Sequence, residues 1–368
     1  MKQKKKKILH IITRLERGGP SDELIYLLQG DINKFYEQKL ITGFSNAEIE
    51  IPPSVKSMII RSNYLVRDPS PLRDISALFE LIYFIKREKP YIVHTHTSKA
   101  GFIGRLAAYI CGVEKILYSP HGHIFYGYFN PLKTMMFAQI ERLASLFTDF
   151  IVVHTKDEED VFKSIGCKTN YYVVTRGATM VNKVRSKNRC KVKVKINGKP
   201  IIGTCARLEP VKGISYLINA FPKILQKFPD AALVIVGDGS QKKYLEKIAG
   251  EGVIFTGWQD NPEDYIKQFD VFVVPSLNEA WGATIIEAGR FGIPIVATKV
   301  GGIPLFAGDS VLLINPKDSD EIADAVLRIL TDENLRKHLS RKSRKLSEKY
   351  TAERMVREYL ELYNLCSS

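Results

Sequence analysis

The chain has 368 residues, with 54 basic and 40 acidic side chains and a formal net charge of +14. That length exceeds one ordinary hydrophobic core and fits two domains, and a composition of 45% hydrophobic and 26% charged residues excludes a disordered chain. No apolar run reaches the roughly 20 residues that span a bilayer, and five scattered cysteines without CxxC spacing argue against a disulfide framework or a cysteine-held metal.

The chain opens on a lysine run, Met1 to Lys7, followed by the apolar stretch Ile8–Ile12. This stretch is shorter than the roughly 7–15 residues of a signal-peptide core. It reads as a first buried strand, so the expected location is the cytoplasm, with peripheral attachment at the inner membrane face as a further expectation. Arg17-Gly18-Gly19-Pro20 comes next, where glycines let backbone approach a ligand closely. Tyr91–His96, Lys115–His121 and Phe150–Thr155 complete the strands expected of a first sheet. Ile201–Cys205, Leu233–Gly237, Val253–Gly257, Val271–Pro275, Ile295–Thr298 and Val311–Ile314 are expected to form a second. Helical stretches such as Ser76–Lys86, Lys212–Lys227 and Asp320–Leu330 lie between strands. Strand, helix, strand in repetition predicts an α/β fold of two Rossmann-like, doubly wound domains.

The predicted boundaries are 1–180 for the first domain and 181–350 for the second. Lys183 to Pro200, which holds basic residues, no acidic ones and Asn197-Gly198, reads as the surface linker between them. Residues 1–180 carry 25 basic and 18 acidic groups and the remainder 29 and 22, so each half is +7 and no nucleic-acid arm stands out. From Thr351 onward, Met355, Tyr359 and Tyr363 recur at i, i+4, i+8, one apolar stripe on a helix.

Two stretches carry chemistry. In Pro275 to Pro294, PSLNEAWGATIIEAGRFGIP, a loop follows a strand and a helix runs from Ala283 to Arg290. The free N–H groups at that helix start form an anion site. Glu287, about one turn in, could take ribose hydroxyls beside a phosphate; as a dipole partner of the helix it would need no ligand. In Gly203 to Phe221, GTCARLEPVKGISYLINAF, Arg207 and Lys212 flank the mouth of the same sheet edge. A guanidinium fork and a compact ammonium together suit a diphosphate, although two surface cations are the plainer reading. His94 and His96 share a strand face, as do His121 and His123. That spacing admits zinc, but recognition of sugar or phosphate is the expectation.

These stretches resemble the retaining GT-B glycosyltransferases of family 4, group 1. The resemblance runs from Gly18-Gly19 to the terminal helix. It is most specific in the E-x7-E element from Glu279 to Glu287, which follows PS and precedes GIPIVATKVGGIP, and in RLEPVKG upstream. It implies two lobes facing across a cleft, with a C-terminal helix (351–368) that returns to cap the first. Arg207 and Lys212 would bind the donor diphosphate, with Ala283 and Thr284 completing the phosphate site. Glu287 would hold ribose and Glu279 the hydroxyls of the transferred sugar. Gly18 and Gly19 would close over the diphosphate from the other lobe. His121, in PHG, would stand beside the reacting sugar. VHTHTSKAGFIGRLAA, Val93 to Ala108, resembles members that build surface polysaccharides and glycolipids.

The implied donor is a nucleotide sugar, UDP-linked, with no metal and no other cofactor; the implied acceptor is a glycan or lipid-linked sugar, and an anionic membrane surface is an expected partner. Three positions depart from the family pattern: Glu279-Ala280 replaces EG, Trp281 replaces Phe, and Thr175-Arg176-Gly177 replaces a PNG-like turn. These bear on which sugar is used. The competing expectations are a nucleotide-sugar epimerase of similar two-lobed shape and an inactive scaffold of polysaccharide assembly, since fold alone does not prove activity.

Overall fold

The computed structural model describes residues 5–16, 18–45, 49–121, 130–177, 199–259, 261–279 and 281–368. The linker expected over Lys183 to Pro200 lies outside these except for Lys199 and Pro200, and Lys4, Arg17, His123 and Ala280 also fall outside. The chain forms two compact units, Met1–Thr179 with Ala352–Ser368, and Met180–Thr351.

In the first unit, β1 (Lys7–Ile12), β2 (Glu37–Thr42), β3 (Ile59–Arg61), β4 (Ile92–His96), β5 (Lys115–Ser119), β6 (Phe150–Val153) and β7 (Asn170–Val173) pair in the order β3-β2-β1-β4-β5-β6-β7. Every pairing is parallel. In the second unit, β8 (Ile201–Cys205), β9 (Ala232–Val236), β10 (Val253–Gly257), β11 (Val271–Val274), β12 (Ile295–Thr298) and β13 (Leu312–Ile314) pair as β10-β9-β8-β11-β12-β13, again all parallel. Both are α/β doubly wound sheets. In each, the strand order reverses beside the first strand, between β1 and β4 and between β8 and β11. Open parallel sheets bind ligands outside the carboxyl ends of the strands at such a reversal.

All six strands expected in the second sheet form, because central parallel strands are covered on both faces and must be apolar throughout; β9 and β11 are buried along their whole length. The first sheet has three strands beyond those expected. β2 (EQKLIT), β3 (IIR) and β7 (NYYV) are short or polar and partly exposed, as strands towards a sheet edge are free to be.

The terminal helix Ala352–Ser367 belongs to the first unit. Its stripe, Met355, Tyr359 and Tyr363, is buried against Ile8, Leu27, Tyr36, Ile92 and Leu117. Each large apolar side chain so buried contributes about 1.5–3 kcal/mol. Among the described residues no helix is long and apolar enough to cross a membrane.

Candidate active site

In the second unit, two loops at the carboxyl ends of adjacent strands are stitched together. The N–H groups of Leu277 and Asn278, after β11, both donate to the carbonyl of Val211, after β8, at 2.8 and 3.4 Å. The two loops touch because Gly213 leaves room, and Gly301, after β12, lets a third loop abut Glu279. A Cβ on Gly213 (φ 63°) would lie 2.1 Å from the Pro275 carbonyl oxygen, and one on Gly301 (φ 51°) 1.8 Å from that of Glu279. This stitching delivers Lys212 to Glu279. Lys212 Nζ stands 2.5 Å from Glu279 Oε2, and the Ser276 hydroxyl donates to the same oxygen at 3.2 Å. Burial pushes the Glu279 carboxyl up, but the Lys212 ammonium, the Ser276 hydroxyl and the Gly282 N–H outweigh it and hold the group below its ordinary value. Glu279 is therefore a carboxylate, 15% exposed, ready to accept hydroxyl donors.

The helix Ala283–Arg290 begins at Gly282, whose φ of 73° turns the chain into its first turn. Ile285, Ile286, Ala288 and Gly289 face the core. Ala283, Thr284 and Glu287, the positions named for phosphate and ribose, form the partly exposed stripe, as their i, i+4 spacing requires. Arg207 follows β8 and is exposed; its guanidinium makes no hydrogen bond or ion pair among the described residues. Trp281, in place of Phe, is buried and stacks on Phe306 with ring centroids 5.1 Å apart, so it is a structural anchor of the loop.

In the first unit, Gly18 and Gly19 start the helix Gly19–Gln29 just beyond β1. Gly19 abuts Arg176, and a Cβ there would lie 1.5 Å from the guanidinium. The next turn of that helix carries Glu23, which sequence reasoning did not single out. It is fully buried, and the Tyr359 hydroxyl donates to its Oε1 at 2.6 Å. Around Oε2 stand His154 Nε2 at 3.4 Å, His121 Nδ1 at 3.6 Å and Arg176 Nε at 3.6 Å. Burial pushes the Glu23 carboxyl up, yet His154, His121 and Arg176 together hold it well below the usual range. Glu23 lies four residues before the buried Leu27. A polar residue on the apolar stripe was thus the available signal.

His121 follows β5 with a positive φ of 58°, and its side chain is 1% exposed. The expectation that His94 and His96 recognise a ligand does not hold. Both are fully buried, and their ring nitrogens bond within the protein: His94 to Tyr363 and Ser119, His96 to His10 and His121. Parallel-sheet burial places them below the strand ends instead of at the surface.

Two doubly wound parallel sheets, one carrying a paired Lys–Glu beside the start of the helix Ala283–Arg290, are the architecture of the GT-B glycosyltransferases. Family profiles agree. Residues 186–346 match the family described as "Glycosyl transferases group 1", and residues 34–179 match "Glycosyltransferase Family 4". The two profiles together span most of the chain, and it is a glycosyltransferase. It is 29% identical over 287 residues, 74% of each chain, to an Escherichia coli UDP-Gal:alpha-D-GlcNAc-diphosphoundecaprenol alpha-1,3-galactosyltransferase. It is 24% identical, over 98% of this chain and 97% of the relative, to the Staphylococcus aureus capsular polysaccharide biosynthesis glycosyltransferase CapM. The fold matches that of sucrose-phosphate synthase from Thermosynechococcus elongatus (TM-score 0.79, 19% identity, 98% and 99% of the two chains). It also matches Anabaena HepE in complex with UDP-glucose (TM-score 0.77, 18% identity, 98% and 99%).

Proposed function

We propose that this enzyme moves a sugar from a UDP-sugar to a glycan or lipid-linked acceptor, with retention of the donor's anomeric configuration and without a metal ion. The observation that carries this reading is the Lys212–Glu279 pair beside the start of the helix Ala283–Arg290. Departure of UDP leaves negative charge on the diphosphate, and something must neutralise it. Arg207, Lys212 and the N–H groups at Ala283 and Thr284 supply that field. Glu287 takes the ribose hydroxyls, and Glu279, kept ionised by Lys212, takes those of the transferred sugar. With both carboxylates holding the donor, neither remains as a nucleophile under the anomeric carbon. The acceptor then attacks on the face that the leaving group vacates, and a diphosphate oxygen takes its proton. The names of the E. coli and S. aureus relatives, and the UDP-glucose in HepE, support the donor and acceptor classes.

The acceptor reading extends to an anionic membrane. The helix Pro71–Glu88 buries Ala77, Leu81, Phe84 and Ile85 but exposes Leu72, Ile75, Phe79 and Tyr83, with Arg73, Lys86 and Arg87 also exposed. Leu81 and Phe84 are core residues, so the apolar side that faces solvent is the other one. Lys7, in the initial lysine run, is paired with Glu37 and Glu88. An apolar stripe flanked by cations suits an anionic lipid surface.

Product analysis tests the core reading. An α-linked UDP-sugar should give an α-linked product by NMR, at a rate unchanged by EDTA. An inverted product, or activity lost to chelator and restored by manganese, overturns it.

A further inference from the structure

Three imidazoles in the first unit form a hydrogen-bonded row, and one amide sets its direction. Gln38 Nε2 donates to the Leu27 carbonyl at 3.0 Å and to Asn33 Oδ1 at 3.0 Å. A carbonyl only accepts, so the Gln38 amide cannot turn over, and its Oε1 must face His10. His10 Nε2, 3.1 Å away, therefore carries a proton and donates. Burial pushes the His10 imidazole down to about 4, so its other nitrogen, Nδ1, is bare at neutral pH. Nδ1 must then accept from His96 Nε2 at 3.1 Å. Burial likewise holds the His96 ring well below its ordinary value and so neutral. Its Nδ1 is bare and accepts from His121 Nε2 at 3.0 Å.

We propose that Gln38 is a positioning residue for His121: acting through His10 and His96, it keeps a proton on His121 Nε2 and turns Nδ1 to Glu23. Among the described residues, His121 faces Glu23 from the first helix, His96 from β4 and His154 after β6, and Arg176 after β7 stands against the same Glu23 oxygen. Tyr359 from the terminal helix holds the far oxygen of Glu23. His154 uses its Nδ1–H on the Val174 carbonyl at 3.1 Å, so its Nε2 is the atom turned to Glu23. Both nitrogens of His121 thus point into the protein. The ring meets a bound sugar through its carbon edge, not as a base. This last step rests on the proposed transferase reading; the proton placement does not.

Long-range proton–nitrogen NMR of the full-length, histidine-labelled protein reads the placement directly. His10 and His96 should be neutral with the proton on Nε2, and His121 should carry a proton on Nε2. A proton on Nδ1 of His10 or His96 overturns the proposal, and the wild-type spectrum decides this without any variant. Gln38→Glu should keep the pattern when its buried carboxyl is protonated, the hydroxyl donating to the Leu27 carbonyl and the carbonyl oxygen accepting from His10. Gln38→Met should give mixed tautomers at His10 and His96. In sugar transfer from a UDP-sugar, Gln38→Met should shift the pH profile of kcat/KM and Gln38→Glu should restore it. Coincident profiles in all three proteins overturn the positioning role. Absence of wild-type transfer would sink the function reading while leaving the spectral result standing.

Discussion

Lys212 and Glu279 stand 67 residues apart in the chain, and the Lys212 ammonium lies 2.5 Å from a carboxylate oxygen of Glu279. In the proposed reading one cation serves two tasks, neutralising the carboxylate that holds the sugar and meeting the diphosphate. Lys212→Ala and Arg207→Ala should each weaken UDP and UDP-sugar alike. A lost charge-assisted bond is worth about 1.5–3 kcal/mol, so affinity should fall roughly tenfold to a hundredfold. Unchanged calorimetric affinity for both ligands would remove these residues from the site.

Glu279 and Glu287 should separate in their effects. Glu287→Ala should weaken UDP itself. Glu279→Ala should leave UDP binding nearly unchanged and lower kcat for transfer, since it faces the sugar. Titration with UDP alongside steady-state kinetics makes the distinction; loss of UDP binding in Glu279→Ala would contradict the division.

Much of this second site was legible in the sequence. Its strands are buried on both faces and so appear as apolar runs, and its ligand groups sit within two loops whose helix starts and glycines are local signals. The first site was not. Glu23, Gln38, His10, His154 and Tyr359 come from distant segments, and each looks ordinary among its neighbours in the chain. Only sheet order places β1 between β2 and β4, and so sets His10 between Gln38 and His96. The pair His94 and His96 was visible, but its depth below the strand ends was not, because alternation reveals a shared face and not its cover.

Glu23 should matter to stability in a pH-dependent way. Its carboxyl is held below the ordinary range in the folded chain, so its contribution is present above about pH 4.3 and is lost as pH falls through the folded value. Glu23→Gln leaves the buried Arg176 guanidinium without its anion, and removing one partner of a buried pair costs about 3–5 kcal/mol. Urea unfolding should show this gap from wild type at pH 7 and a smaller one at pH 3. An equal gap at both would refute the charge assignment.

The exposed side of the helix Pro71–Glu88 should bind acidic vesicles. Flotation with phosphatidylserine liposomes should recover the wild type at low salt and less of it at high salt. Leu72→Glu with Phe79→Glu should abolish recovery, because each apolar side chain moved out of water is worth about 1.5–3 kcal/mol. Phe84→Leu is a poor control, since Phe84 is in the core. Recovery of the double variant equal to wild type would end the membrane reading.

The helix Ala352–Ser367 gives Tyr359 to Glu23 and Tyr363 to His94, yet the whole second unit is synthesised before it. A nascent chain that has completed residue 179 still lacks one wall of its first core and the donor that steadies its buried carboxylate. The amino-terminal unit must therefore wait on the ribosome, part-built, for about as long as the other takes to emerge, at roughly 5–20 residues per second. A stop codon near residue 350 would spare every group in the donor-binding loops and still leave the first half unable to close.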